Sequence, residues 1–196
     1  MLKTSASNSD STNQSHSKAN VLERVVVIGC SCAGKTRFAQ RLSHALEVPN
    51  IELDAMHWLP DWLERPNKEF KMLVEEAVTV DRWVADGNYG QVRDIVWQRA
   101  TCLIWLNYSF RVVFWRALRR TCIRVFTRQR VYSGNTESFR RAFLSKDSIL
   151  LWVLSTYHKR RREFPTIFAQ HHFSMLRVIE FNNPRDADEF IRGLAD

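Results

Sequence analysis

The chain has 196 residues, 45% of them hydrophobic, with 29 Lys and Arg against 21 Asp and Glu and a net charge of +8. A chain of this length and composition fills one core, which excludes disorder throughout and argues against two full domains. No apolar run approaches the roughly 18 residues of a membrane span; the longest, 149–154, is six residues and soon meets Lys159, Arg160, Arg161 and Arg162.

Residues 1–20 hold six serines and no hydrophobic stretch. They read as a disordered polar tail with no secretory segment, followed by one domain over 21–196. Beyond the tail, short β-branched runs alternate with longer amphipathic stretches, the rhythm of parallel strands joined by crossover helices, so the fold class is α/β. In chain order the pattern predicts a strand over 24–28, a helix over 35–46 and a strand over 50–53 that ends at Asp54. A helix over 68–78 follows, then a strand over 82–85 leading into Asp86, a helix over 91–98 and a strand over 101–106. Helices over 109–126 and 147–162, a strand over 176–181 and a helix over 184–194 that opens on Pro184 complete the chain. The strand runs are continuous rather than alternating, as in strands covered on both faces. Cys30, Cys32, Cys102 and Cys122 make no C-x-x-C pair and have no histidine at zinc spacing. Neither a disulfide frame nor a zinc site is expected, and a reducing cytoplasm is the expected compartment.

Between the first strand and the first helix stand Gly29, Cys30, Ser31, Cys32, Ala33, Gly34, Lys35 and Thr36, which match G-x-x-x-x-G-K-[ST]. Glycines let the backbone curl so that its N–H groups face phosphate oxygens at a helix N-terminus. Lys35 brings a cation to the β- and γ-phosphates, and the short Thr36 hydroxyl can ligate Mg²⁺. The pattern in this strand-to-helix setting predicts a loop that binds ATP with Mg²⁺; Cys30 and Cys32 read as small fillers of its variable positions.

Asp86 closes a buried strand, where such folds hold a carboxylate near the metal, so it is the expected magnesium partner. Asp54 lies at the same carboxyl edge, where open parallel sheets bind ligands, and is a candidate to orient or deprotonate an acceptor. After it, His57, Trp58, Trp62 and Arg65 offer aromatic faces and a cation to a second ligand, or else form a loop folded over to bury two tryptophans.

Charge is concentrated in one block. Residues 111–162 carry twelve Arg and two Lys against Glu137 and Asp147 only, an excess of twelve, and the rest of the chain is negative by four. Within the helix from Ser109, Arg116, Arg120 and Arg124 repeat at i,i+4, a repulsion of roughly 0.2–0.5 kcal/mol per pair that a bound polyphosphate would offset. Arg128 and Arg130 follow, with Ser133-Gly134-Asn135 as a turn. A helical, arginine-rich lid over about 127–146 is the reading, with Arg116, Arg120, Arg128 and Arg130 meeting the phosphates.

These residues together resemble the adenylate-kinase-like P-loop proteins, most closely the bacterial topology modulation protein (FlaR-like) family. Beyond the loop, the resemblance rests on Leu53-Asp54 with His57-Trp58, Pro60 and Trp62, on Asp86-Gly87-Asn88-Tyr89, on Trp115-Arg116, on Ser133-Gly134-Asn135 with Glu137-Ser138, and on the run 147–152. It spans about 24–191. It implies a three-layer P-loop NTPase fold of nucleoside-monophosphate-kinase type, with a five-stranded parallel sheet in the order 2-3-1-4-5, ATP on the loop and a lid after the fourth strand. Carried over by position, Gly34, Lys35 and Thr36 bind triphosphate and Mg²⁺. Asp86-Gly87 occupies the place of an Asp-Gly-Phe-Pro-Arg motif in which Asn88 and Tyr89 replace Phe-Pro. No Arg follows at once, and Arg93 is the candidate to stand in.

Three functions compete. The first is an ATP-dependent phosphotransferase acting on a small molecule or nucleotide. The second is a nucleic-acid-binding NTPase or polynucleotide kinase, because the arginines are interleaved with Phe110, Phe114, Trp115, Phe126 and Tyr132. The third is a nucleotide-gated regulator with little turnover. No membrane partner is expected.

Overall fold

Five short apolar runs pair into a single parallel sheet: β1 (Arg24–Gly29), β2 (Asn50–Glu52), β3 (Trp83–Asp86), β4 (Cys102–Leu106) and β5 (Arg177–Phe181). The computed structural model describes residues 22–127, 149–170, 173 and 176–195. The strand order is β2-β3-β1-β4-β5, and every pairing is parallel. Crossovers supply α1 (Lys35–Leu46), α2 (Leu53–His57), α3 (Asn67–Ala77), α4 (Arg93–Arg99), α5 (Phe110–Thr127), α6 (Ile149–Phe168) and α7 (Pro184–Ala195).

Alternate strand residues divide the core in two. Val25, Val27, Ile104 and Leu106 pack on one face with Phe38 and Leu42 of α1, Val113 of α5, Val153 of α6 and Ile191 of α7. Val26, Ile28, Leu103 and Trp105 pack on the other with Phe70 and Val74 of α3, Val96 and Trp97 of α4, and Phe164. Helix α6 therefore feeds both layers. Each such aliphatic side chain removed from water contributes roughly 1.5–3 kcal/mol, which is why the central strands carry no polar alternation. No helix among the described residues is long and apolar enough to cross a membrane.

Three elements depart from the sequence reading. β2 stops at Glu52, opposite Asp86 in the ladder, and Leu53 begins α2; Asp54 thus sits in the first turn of a helix rather than at a strand end. The cause is Gly87, whose missing side chain lets Leu53 fold across β3: a Cβ there would lie 2.8 Å from Leu53 Cβ. The expected helix over 91–98 is a 3₁₀ turn, Gly90–Val92, running into α4. Helix α6 continues past Arg162 and through Pro165 to Phe168. Proline removes a helix hydrogen bond, but Phe164 and Phe168 both meet Trp105 edge-on, at 5.7 and 5.6 Å between centroids, and that packing holds the last turn. Of the expected lid over 127–146, all but Thr127 lies outside the described residues.

Candidate active site

The site lies at the carboxyl edge of the sheet, where β1, β2 and β3 end together. The loop of 29–36 leaves β1 under tight steric control, for a Cβ on Gly29 would sit 2.7 Å from the Leu106 carbonyl oxygen of β4, and its φ is 154°. Cys32 follows in the left-handed region at φ 64°, and Gly34 is the N-cap of α1. Ala33 N–H donates to the Cys30 carbonyl at 3.1 Å, closing the turn. Lys35 folds back so that Nζ donates to the same carbonyl at 3.4 Å. Cys30 and Ala33 are buried, whereas Ser31 and Cys32 are half-buried.

Thr36 and Asp86 meet although fifty residues apart: the Thr36 hydroxyl donates to Asp86 Oδ2 at 2.7 Å. Asp86 is 2% exposed, and its other carboxylate oxygen is buried without a hydrogen-bond partner. Burial pushes its pKa up to about 6, against the Thr36 hydrogen bond and the charge of Lys35, which pull it down. A buried carboxylate oxygen lacking a donor, beside a hydroxyl oxygen, is an oxygen set that suits a hard divalent cation, so Thr36 and Asp86 fit Mg²⁺.

Asn88 ties this half-site to the other. Its side-chain Oδ1 accepts from the Gly29 N–H at 3.4 Å, and its Nδ2 donates to the Gly29 carbonyl. Next to it, the Tyr89 hydroxyl donates to Asp54 Oδ1 at 2.6 Å. Asp54 itself is half-buried. Behind Tyr89 stands His57, 5% exposed, with its ring 4.5 Å from Tyr89 and 5.1 Å from Phe70. Its Nδ1 is buried without a partner, and burial holds its pKa below the ordinary value of 6.5, opposed by the charges of Glu64 and Asp54.

Beneath this corner lies a small crevice, with a cavity volume of about 10 Å³. Leu53, Val92, Val96, Trp97 and Phe164 give it apolar walls, Asn88 and Tyr89 a polar edge, and Arg93 a cation. Arg93 lies over the Trp97 ring at 5.4 Å.

The remaining expected residues fall elsewhere. Trp58 and Trp62 are half-buried, with their rings edge-on at 5.7 Å. Arg65 is committed to its own loop: its N–H donates to the His57 carbonyl at 2.8 Å, Nε to the Met56 carbonyl at 2.7 Å, and its guanidinium pairs with Glu69 at 3.6 Å. Arg116 reaches the phosphate loop from α5, donating to the Ala33 carbonyl at 2.6 Å with its guanidinium 5.2 Å over the Tyr108 ring. Arg120 is half-buried one turn further along α5, and Arg128 and Arg130 lie outside the described residues. Sequence reasoning passed over Asn88 and Tyr89 as site residues. Their signal was present in the Gly87 turn at the end of a buried strand.

No protein-family model and no curated protein sequence matches this chain. Solved structures do. Shikimate kinase from Acinetobacter baumannii, in complex with shikimate, superposes with a TM-score of 0.57 at 15% identity over 88% of this chain and 90% of its own. Shikimate kinase from Bacteroides thetaiotaomicron gives a TM-score of 0.50 at 15% identity, over 88% of this chain and 96% of its own. With the strand order, these likenesses show a P-loop kinase fold.

Proposed function

We propose that the protein is an ATP-dependent phosphotransferase that binds Mg-ATP on the loop of 29–36 and phosphorylates a small-molecule alcohol. The carrying observation is the buried Thr36–Asp86 pair, with its partnerless carboxylate oxygen, at the foot of a phosphate-binding loop. A glycine turn of purely structural use has no need of an ionisable group so deeply buried. The small-alcohol class is supported by the kinase folds this chain resembles, one of them solved with shikimate. Within that class, the motifs shared with the topology modulation proteins support that family as the one we infer.

When bound, the metal would be held by Thr36 and Asp86 and would neutralise phosphate charge. Lys35 exchanges the Cys30 carbonyl for phosphate oxygens. Asp54, one oxygen fixed by Tyr89, offers the other to the acceptor hydroxyl and takes its proton. The freed oxygen forms a bond to the γ-phosphorus, the bond from that phosphorus to the β–γ bridging oxygen breaks, and ADP leaves with the electron pair. Arg116, Arg120, Arg128 and Arg130 are proposed to meet charge that develops on the transferred group.

Calorimetry with Mg-ATP tests this reading. Lys35→Ala is expected to weaken binding by about tenfold or more, near 1.4 kcal/mol. Asp86→Asn is expected to abolish the dependence of affinity on Mg²⁺. Unchanged affinity in Lys35→Ala overturns the assignment.

A further inference from the structure

Helix α5 carries arginine on two sides, and only one of them serves the phosphate loop. Arg116 turns to that loop, donating to the Ala33 carbonyl, and Arg120 is half-buried one turn further on. Arg111, Trp115, Arg119 and Ile123 recur at every fourth residue along another line, and all four are exposed. This line faces away from the core, which α5 meets through Val113, Ala117 and Thr121, each 0% exposed. Trp115, at 67%, is the most open of the large apolar side chains among the described residues. Neither Arg111 nor Arg119 forms an ion pair with a carboxylate among those residues. Nor is one at hand: α5 and α6 together hold eight Arg and one Lys against Glu163 alone, and Glu163 pairs with Lys159 at 3.7 Å.

A rise of about 1.5 Å per residue sets Arg111 and Arg119 about 12 Å apart along the helix axis, with the Trp115 ring midway. An open indole between two uncompensated guanidiniums suits a ligand that presents a flat ring flanked by anions. Single-stranded nucleic acid has that make-up, with a base to lie on the indole and phosphates on either side for the guanidinium forks. We propose that the outward line of α5 binds single-stranded nucleic acid, Trp115 stacking a base while Arg111 and Arg119 hold the neighbouring phosphates. A duplex fits less well, because its bases are stacked on one another and leave no face for the indole. A helix that lies on a membrane keeps its cations and its apolar residues on separate faces. Here they alternate along one line, so burying Trp115 and Ile123 among lipids would drag Arg119 in with them. A second copy of the chain would set arginine against arginine. The surface stands apart from the kinase reading, since none of its residues belongs to the phosphate loop or lines the crevice.

Fluorescence anisotropy on the full-length protein tests this, with labelled oligothymidylate and oligouridylate of about ten nucleotides. A blunt DNA duplex and phosphatidylserine vesicles serve as comparisons. Single strands are expected to bind, the tighter of the two telling DNA from RNA. Their affinity should fall only about tenfold between roughly 50 and 200 mM salt, because few phosphates are held. Trp115→Ala should weaken binding by about tenfold, and Trp115→Leu, apolar but not planar, should do the same, whereas Trp115→Phe should keep most of it. Arg111→Gln and Arg119→Gln should each reduce the slope of log affinity against log salt by about 0.7. Melting temperature and affinity for a non-hydrolysable Mg-ATP analogue should stay as in the parent protein throughout. Absence of binding by both strands, equal binding of the duplex, or a Trp115→Leu protein that binds like the parent overturns the proposal. So does displacement of the strand by saturating analogue, which would place it in the nucleotide site, or vesicle binding that Trp115→Ala abolishes, which would make the line a membrane surface. Failure of the kinase reading shows separately, as absence of analogue binding to the parent protein.

Discussion

His57 is the buried titratable group whose effect on stability is simplest to read. Its ring touches Trp58, Phe70 and Tyr89, and its Nδ1 has no partner, so the neutral imidazole packs well and the charged one does not. Because the folded pKa lies below the unfolded one, the unfolded chain takes up the proton first as pH drops, and stability falls from about pH 6.5 downward. Above that pH the contribution is intact. His57→Phe keeps a ring in the same contacts and removes the proton site. Thermal melts at a series of pH values should show a melting temperature unchanged or higher near pH 8 and a shallower acid decline than in the parent protein. Parallel declines would mean that the imidazole titrates freely. The residue also marks a limit of sequence reading: His57 and Trp58 stand side by side in the chain, yet one is enclosed and the other half-buried, a distinction made by the turn of α2.

At the level of elements, α2 is where local pattern and tertiary geometry part. Residues 50–53 have strand character, and only the close passage of Leu53 over Gly87 shows why pairing ends one residue early. Gly87→Ala should therefore act at a distance. The new methyl group clashes with Leu53 at a backbone φ of 148°, a strain of roughly 1–3 kcal/mol. It should displace α2, and with it Asp54, so that acceptor turnover falls by about tenfold or more while ATP affinity changes less. Kinetics together with calorimetry measures both, and equal losses in the two would place the strain at the loop instead. By contrast α1 was readable to the residue, since Lys35–Leu46 runs from its glycine N-cap to a left-handed Glu47, all within one local stretch. The last turn of α6 was not, because its support through Pro165 is the packing of Phe164 and Phe168 on Trp105, which no local signal announces.

For the molecule as a whole, the strand order implied by the P-loop resemblance is the one observed; apolar runs and turn chemistry predict a doubly covered parallel sheet but not the order of its strands. The charge block is a different matter, as much of it lies outside the described residues and composition alone leaves its ligand open. Salt decides between partners. A protein gripping six or more nucleic-acid phosphates loses affinity about a thousandfold between roughly 50 and 200 mM salt, whereas Mg-ATP binding at one loop should change by less than about tenfold. Filter binding with single-stranded DNA alongside ATP calorimetry reads both, and a steep, tight DNA isotherm would favour the polynucleotide reading. One small contact has a reach beyond its size. The β1–β3 ladder runs as far as Val27 opposite Asp86, and then the backbone of β3 turns away. The Asn88 amide, bonded to both backbone groups of Gly29, acts as one more rung built from a side chain. The first glycine of the phosphate loop and the tyrosine bonded to Asp54 therefore hang from a common beam, and if a nucleotide and an acceptor bind on its two sides, linkage requires that each alter the other's affinity by the same factor.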